Sequence, residues 1–439
     1  MGKSTFLGGI HPYDGKDLTM DKPTTVLLPK GDLVFPLAQH IGAPAKPVVA
    51  KGDRVLVGQK IAEASGFVSS NIISSVSGTV KAIEKRLTVQ GVKVDAIVIE
   101  NDHEYQKVEG FGKERDDQTL SKAEIRDAIK EAGIVGMGGA GFPTHVKLTP
   151  KEDSKIEYVI VNGAECEPYL TSDYRMMLEE PEKIVGGLKI ILRLFDNARG
   201  MIAIEDNKPE AIKIFQKLLA NEKNIELKIL KTKYPQGAER QLIYVTTGRK
   251  LNSKKLPSDV GCVVDNIDTV IAIYMAVAKS TPLIRKIITV SGDAVKTPQN
   301  FNVCTGIDYW ELLEAAGGFI DRPEKMISGG PMMGNAMYTC NVPVTKISSA
   351  FLGFLKDSAS VKESACIRCG RCYEACPMGL LANQLATLGE RSMEEEFVKL
   401  SGMECCGCGC CTFVCPAKRN LTQSIMETRK SVMDKRKRA

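Results

Sequence analysis

With 439 residues, 43% of them hydrophobic and 26% charged, the chain has the balance of a soluble globular protein and the length of roughly two to four domains. No apolar stretch approaches the roughly 18–20 residues that span a bilayer; the most apolar run, residues 270–278, stops at Lys279. The net charge of +6 comes from 59 basic and 53 acidic residues, yet residues 428–439 alone hold six basic (Arg429, Lys430, Lys435, Arg436, Lys437, Arg438) and one acidic (Asp434), and the remaining 53 and 52 nearly cancel. That tail reads as a solvated, disordered end, or more sharply as a segment attracted to an anionic leaflet or an acidic partner. Nucleic acid is not expected as a partner, because no basic and aromatic surface accompanies it. The first residues show no long apolar core or small-residue cleavage site, so secretion is not expected. The 14 cysteines then do not suit a disulfide framework, and ten of them fall between Cys366 and Cys415, as in a metal-binding region.

Residues 26–100 read as short strands punctuated by glycine, at 48–49, 54–57, 78–80 and 92–98. Two phrases stand out, Gly52-Asp53-x-Val55-x-x-Gly58-Gln59-x-Ile61 and Ser74-Ser75-Val76-Ser77-Gly78-Thr79-Val80. They resemble the biotinyl/lipoyl type of barrel-sandwich hybrid. Carriers of that type need a lysine on the hairpin between the phrases, and residues 61–80 contain none. A docking or scaffold role remains for this unit.

From Ser121 the pattern becomes helical: Ser121 with Glu124 is a capping box, Ile125 and Ile129 share a face, and the helix ends at Gly133. After a glycine-rich loop come alternating strands and helices, with strands at 158–161, 201–204 and 225–230 and helices at 182–195 and 209–219. That alternation predicts a mostly parallel sheet covered on both faces. A further small module opens at 285–295 and runs to about Val344, with the turn Ser328-Gly-Gly-Pro-Met-Met-Gly334.

The end of the chain carries Cys366-x2-Cys369-x2-Cys372-x3-Cys376-Pro377 and Cys405-x2-Cys408-x2-Cys411-x3-Cys415-Pro416. At this spacing three thiolates wrap three corners of a four-iron cubane, and the fourth cysteine reaches the other cluster. Cys366, Cys369, Cys372 and Cys415 are assigned to one 4Fe–4S centre, and Cys405, Cys408, Cys411 and Cys376 to the other. Zinc fits poorly, since a tetrahedral ion has no use for a third cysteine and a Cys-Pro in each arm. Cys406 and Cys410 lie outside the pattern.

The glycine loop, Gly133-Ile-Val-Gly136-Met-Gly138-Gly139-Ala-Gly141-Phe142-Pro143-Thr144, contains Gly-x-Gly-x-x-Gly. A dinucleotide fingerprint should follow a strand and open a helix, whereas this one follows a helix and meets Pro143. An ordinary Rossmann assignment therefore fails on context. The physics survives: consecutive glycines let backbone N–H groups approach a phosphate, and Lys147 adds a positive charge.

Residues 136–147 resemble the flavin- and NADH-binding loop of the NADH-oxidising flavoprotein of respiratory complex I. Asn162-Gly-Ala-Glu165-Cys-Glu167-Pro168, Tyr234-Pro-Gln-Gly237-Ala-Glu239 and Val264-Asp265-Asn266-Ile267-Asp268-Thr269 are similar to three further segments of that family, in the same order. The resemblance implies that Gly136, Gly138, Gly139, Gly141 and Lys147 hold flavin phosphate and NADH, and that Phe142 stacks on the nucleotide. It implies that Asn162, Asp265, Asn266 and Thr269 line FMN, that Tyr234, Gly237 and Glu239 add to the site, and that Glu165 and Glu167, the catalytic candidates, sit where nicotinamide meets flavin. Ala164, Asp265 and Ala238 depart from the family pattern.

Adding Gly8-Gly9-Ile10-His11-Pro12 and the ending Val414-Cys415-Pro416-Ala417-Lys418-Arg419, the domain order resembles the RnfC family of the Rnf membrane electron-transport complexes. The implied architecture is multidomain α/β. It comprises an N-terminal segment and all-β barrel-sandwich hybrid (1–115), a Rossmann-like α/β FMN/NADH domain (116–284) and a β-grasp (SLBB-type) module (285–350). A two-cluster ferredoxin-like helical domain (351–427) and a basic tail (428–439) follow. The implied activity is that of a ferredoxin:NAD+ oxidoreductase complex coupled to Na+ or H+ translocation. Hydride would pass between NAD(H) and FMN, then single electrons through two 4Fe–4S clusters. Implied partners are the membrane-embedded and iron–sulfur subunits, and ferredoxin indirectly, with the chain peripheral on the cytoplasmic face of the membrane. Two alternatives are a soluble NADH-dependent reductase such as a cobalamin reductase, expected to carry its barrel-sandwich unit late, and an electron-relay protein without flavin.

Overall fold

A computed structural model of the chain describes residues 4–438; the first three residues of the N-terminal segment and Ala439 of the basic tail lie outside it. The N-terminal part contributes β1 (Thr25–Leu27), β2 (Leu33–Pro36), β3 (Lys46–Pro47), β4 (Arg54–Val55), β5 (Lys60–Glu63), β6 (Ile72–Ile73), β7 (Gly78–Leu87) and β8 (Lys93–Asn101). A four-stranded sheet, β2-β8-β7-β4, and a three-stranded one, β3-β5-β6, enclose a core of Leu33, Phe35, Val55, Ile61, Ile72, Val80, Ile97 and Ile99. This is the sandwich expected of the region. The strand expected at Val48 and Val49 is instead Lys46–Pro47, and the Val48 N–H donates to Ile61 O just beyond it.

The central domain begins with α1 (Lys122–Glu131), which carries the expected reciprocal Ser121/Glu124 cap. Next come α2 (Thr144–Lys147), β9 (Tyr158–Gly163), α3 (Ser172–Glu179), α4 (Pro181–Leu192), β10 (Arg199–Glu205), α5 (Pro209–Leu218), β11 (Ile225–Leu230), α6 (Glu239–Thr247), β12 (Cys262–Asn266) and α7 (Ile267–Ala278). The four strands are all parallel, in the order β11-β10-β9-β12. One face packs on α1, α4, α5 and α7, the other on Leu242 and Ile243 of α6. From β9 the chain moves one way to β10 and β11, and β12 lies on the other side, so the strand order reverses between β9 and β12. Ligands of open parallel sheets bind beyond the carboxyl ends of strands at such a point. Asn162 and Asn266 stand there in register.

The third module holds β13 (Arg285–Ser291), β14 (Gln299–Cys304), α8 (Tyr309–Ala315), β15 (Lys325–Ser328), β16 (Asn335–Met337) and β17 (Ala350–Phe354). Its six-stranded sheet, β1-β14-β13-β17-β15-β16, takes its edge strand from residues 25–27, a long-range pairing no local pattern announces. The last part is helical: α9 (Arg371–Glu374), α10 (Ala382–Glu390), α11 (Glu394–Lys399), α12 (Cys410–Phe413) and α13 (Leu421–Arg438). Helix α13 runs through the basic tail, where composition suggested a disordered end. Val432 and Thr428 are buried there, and Lys435 pairs with Glu394 of α11 at 2.7 Å. An apolar side chain roughly every turn docks the helix while the charges face outward.

Candidate functional site

Beyond the carboxyl ends of β9 and β12 lies a cleft of about 1890 Å³. Single-ligand pockets run to about 300–1,000 Å³, so this one has room for two ligands side by side. Twelve of the fifteen residues expected at a flavin/NADH site line it: Gly136, Gly138, Gly139, Phe142, Lys147, Asn162, Glu165, Glu167, Tyr234, Gly237, Glu239 and Asn266. Segments 100 residues apart in the chain therefore share one cavity.

The other three stand behind its wall. Thr269 is fully buried and its Oγ1 accepts a hydrogen bond from the Met137 N–H at 3.0 Å, which ties the glycine loop to α7. Asp265 is buried beneath the loop and pairs with Lys147 Nζ at 2.8 Å, so the lysine charge expected for phosphate is already neutralised. Gly141 abuts the third module, where a Cβ would lie 2.7 Å from Ile347 Cγ2. Its neighbours on the loop differ: a Cβ on Gly138 would meet Asn266 Cβ at 2.8 Å, whereas one on Gly139 would meet nothing within 4 Å. Gly139 is the open floor of the cradle.

Glu165, held at φ 46, accepts from the N–H groups of Asp173 (2.7 Å) and Tyr174 (3.3 Å) at the start of α3. Lys16, from the N-terminal segment, is buried against the same stretch. Its Nζ donates to Glu167 O at 3.0 Å and to Leu170 O, and lies 3.9 Å from Glu165 Oε2. Burial raises the Glu165 carboxyl above its usual range, against the opposing pull of Lys16 and Lys208. Asp173, absent from the residues expected at the site, also lines the cleft and accepts from Asn266 Nδ2 at 2.6 Å. Burial pushes it up to about 7, helped by the nearby carboxylates of Glu165 and Asp268. Only the fold brings Asp173 to Asn266, so spacing gave no signal for it.

Glu167 Oε2 accepts from the Met332 N–H at 3.1 Å, in the glycine-rich turn of the third module, while Oε1 is buried without a partner among the described residues. An orphaned acceptor in the wall is what a missing ligand leaves behind. Burial pushes this carboxyl from 4.5 up to about 7. The folded protein therefore holds the proton more tightly than the unfolded chain, and Glu167 makes stability fall as pH rises from about 4.5 to about 7, with no further change above. Glu167→Gln, neutral throughout, is expected to gain on the wild type between about pH 5 and about pH 8 in urea midpoints of the cofactor-free protein. Parallel shifts in the two proteins would show that Glu167 titrates normally.

The inner end of the cleft is closed by cysteines. Cys405, Cys406 and Cys408 line it, and they also line a second, smaller cavity with Cys376, Cys410 and Cys411. The expected second ligand set, Cys405, Cys408, Cys411 and Cys376, thus surrounds one space, with the fourth member delivered from the other motif. Among the described residues no three such side chains converge closely enough for a single metal ion. Sulfurs here accept from Leu380 N–H (Cys376, 3.3 Å) and Gly407 N–H (Cys405, 3.4 Å), and Thr422 Oγ1 lies 3.2 Å from Cys411. Burial pushes the Cys405 and Cys411 thiols up to about 11, so binding as thiolates must release protons. In the other set Cys372 is buried, Cys415 half-buried, and Cys366 and Cys369 are exposed. Each motif turns through a left-handed glycine, Gly370 or Gly409, into a four-residue helix bearing the third cysteine. Cys410 is buried against Tyr234 and Ile10, and Cys406 forms the partition between the two cavities.

Several bonds seat this cysteine ring on the cleft. Tyr234 OH donates to Cys408 O at 2.8 Å. Glu404 accepts from Arg240 at 3.0 Å and from Ser253 Oγ at 2.6 Å. Gly9 and Ile10 are wedged in between, the Gly9 N–H donating to Ala375 O and the Ile10 N–H to Tyr234 O, both at 2.9 Å.

Family models match in the same order. The Nuo51 FMN-binding domain matches residues 129–275, the RnfC barrel-sandwich hybrid domain 4–104, the SLBB domain 287–336 and a 4Fe-4S binding domain 359–381. The chain is 48% identical over 394 residues, 89% of its length and 86% of the relative's, to the RnfC-type subunit of a proton-translocating ferredoxin:NAD(+) oxidoreductase complex from Clostridium ljungdahlii. It is 40% identical over 99% of its length and 98% of the relative's to the equivalent subunit of the Na(+)-translocating complex of Acetobacterium woodii. In fold it is similar to a solved NAD+-reducing NiFe-hydrogenase, at TM-score 0.50 and 18% identity, covering 64% of this chain and 55% of that one.

Proposed function

The chain belongs to the RnfC family, a subunit of ion-translocating ferredoxin:NAD(+) oxidoreductase (Rnf) complexes, and from that membership and the cleft we propose how its residues carry electrons. Its cofactors are FMN, NAD(H) and iron–sulfur clusters, and its partners are the other members of the complex. FMN, when bound, exchanges a hydride with the nicotinamide nucleotide on one side and single electrons with iron–sulfur centres on the other. Gly136, Gly138 and Gly139 would receive phosphate, while Lys147, Asp265 and Thr269 hold the loop to the sheet. Asn162 and Asn266 would orient the flavin at the reversal of strand order. Glu167 would hold or release a proton near neutrality beside the nicotinamide end, and Glu165 fixes that stretch through α3.

One observation carries this reading: the cleft that gathers the flavin and nucleotide residues ends on Cys405, Cys406 and Cys408. The centre built on Cys405, Cys408, Cys411 and Cys376 would take electrons first. The centre built on Cys366, Cys369, Cys372 and Cys415, with two exposed ligands, would pass them to or from the iron–sulfur and membrane-embedded subunits, with ferredoxin reached through them. No helix among the described residues is long and apolar enough to cross a membrane. Ion movement would then belong to those partners, with this chain peripheral on the cytoplasmic face. The barrel-sandwich unit, matched at 4–104, stands early, unlike the order expected of a cobalamin reductase.

Anaerobic purification should give one FMN and about eight iron per chain, with NADH bleaching the flavin absorbance. Iron near half that, or zinc, would remove the two-cluster assignment. Absent flavin with no response to NADH would favour a simple electron relay.

A further inference from the structure

The barrel-sandwich unit lacks the lysine a carrier would need, and neither the flavin residues nor the cysteines explain its presence. Its tips, however, reach the cleft. Phe67, at the crown of the 64–71 hairpin between β5 and β6, lines the cavity and is 75% exposed. Val89 and Gln90, on the turn between β7 and β8, line it too.

The Phe67 hairpin is held rather than loose. The Ser65 N–H donates to Ser69 Oγ at 3.1 Å, Ser69 Oγ donates to Ala43 O at 2.8 Å, and the Ala64 N–H donates to Asn71 Oδ1 at 2.9 Å. The Ala43 N–H donates to Val68 O at 3.0 Å, and two residues earlier the Ile41 N–H donates to Gly141 O at 3.3 Å. A short, bonded path thus joins the hairpin to the glycine loop. Exposing a phenylalanine ring to water costs the burial it would otherwise gain, and fixing it there beside a nucleotide cradle calls for a ligand with an apolar, flat face.

We propose that the barrel-sandwich unit forms the outer wall of the nucleotide cleft and that Phe67 is the surface on which the adenine end of NAD(H) packs. The assignment of that end follows from chemistry. The nicotinamide must meet the flavin at the inner side, beside Glu167 and the cysteine wall, so the base farthest from the reaction lies toward the mouth, where Phe67 stands exposed. The hairpin that presents a lysine in a carrier here presents a ring. This inference rests on the nucleotide reading given above.

The test uses the purified holoprotein and a ferricyanide assay. Phe67→Ala is expected to raise KM for NADH roughly tenfold at unchanged kcat and flavin content, since stacking of a base on an aromatic ring is worth about that much. KM for reduced nicotinamide mononucleotide, which lacks adenine, should not move. Phe67→Trp should restore KM for NADH, and its emission, after subtraction of wild-type Trp310, should change on titration with ADP-ribose. A Phe67→Ala KM within about twofold of wild type, or an equal loss for the mononucleotide, would overturn the proposal. Failure of the wild-type flavin to respond to NADH, with ADP-ribose still altering F67W emission, would count against the hydride reading and not against this wall.

Discussion

Cys376→Ser is expected to remove the centre held by Cys405, Cys408 and Cys411 while leaving that of its own motif in place. Iron should fall from about eight to about four per chain, and one of two electron paramagnetic signals should vanish. Geometry sets this outcome. Cys376 follows α9 in the first motif, yet it shares a cavity with Cys405, Cys408 and Cys411 and not with Cys366 or Cys369. NADH should still bleach the flavin, because Cys376 is not among the residues lining that cleft, but delivery to a one-electron protein acceptor should collapse. Cys415→Ser is the mirror experiment and should remove the centre of Cys366, Cys369 and Cys372. Loss of that centre in the Cys376 variant would refute the exchange of fourth ligands.

Lys147→Met should be the most damaging single change in the flavin domain. Asp265 has no exposure, its partner at 2.8 Å is Lys147, and its second oxygen is already without one among the described residues. Removing one member of a buried pair costs about 3–5 kcal/mol, because the other charge stays in a low-dielectric site. The glycine loop rests on this pair, so both unfolding midpoint and retained FMN should drop sharply. The double variant Lys147→Met/Asp265→Asn distinguishes two roles. If the lysine is a strut whose charge Asp265 cancels, the double variant regains stability and most of the flavin, which is the expected result. Stability regained without flavin would mean that Lys147 touches the phosphate directly.

The cluster ligands and the buried pair lie at different depths of the sequence. The cysteine spacing carried its chemistry in plain view, since a cubane demands three thiolates within seven residues and a fourth from elsewhere. The glycine loop was legible as a phosphate cradle, and its failure as a Rossmann fingerprint was legible from the helix before it and Pro143 after it. Capping at Ser121 and the parallel βα alternation followed from local pattern, because hydrophobic period and side-chain hydrogen bonds act within a few residues. Asp173, Lys16 and Phe67 were not legible. Each matters only through a neighbour far along the chain: Asn266 for the first, Glu165 for the second, and the cleft mouth for the third. The basic tail misled for the complementary reason, as composition saw its charges but not Thr428 and Val432 turned toward a docking surface.

By itself, then, the sequence determined the chemistry available: two sets of cluster ligands, a glycine cradle, a pair of acids and a domain order shared with one family of electron-transport proteins. Tertiary structure decided the adjacency. It set Asn162 beside Asn266 where the strand order reverses, turned Lys147 onto Asp265, left one oxygen of Glu167 without a partner among the described residues, and put Cys405, Cys406 and Cys408 at the end of the same cleft. The physical reason is range. Thiolate spacing and backbone freedom are properties of a few consecutive residues, whereas burial, charge pairing and the direction of electron flow depend on which distant segments a common core brings into contact.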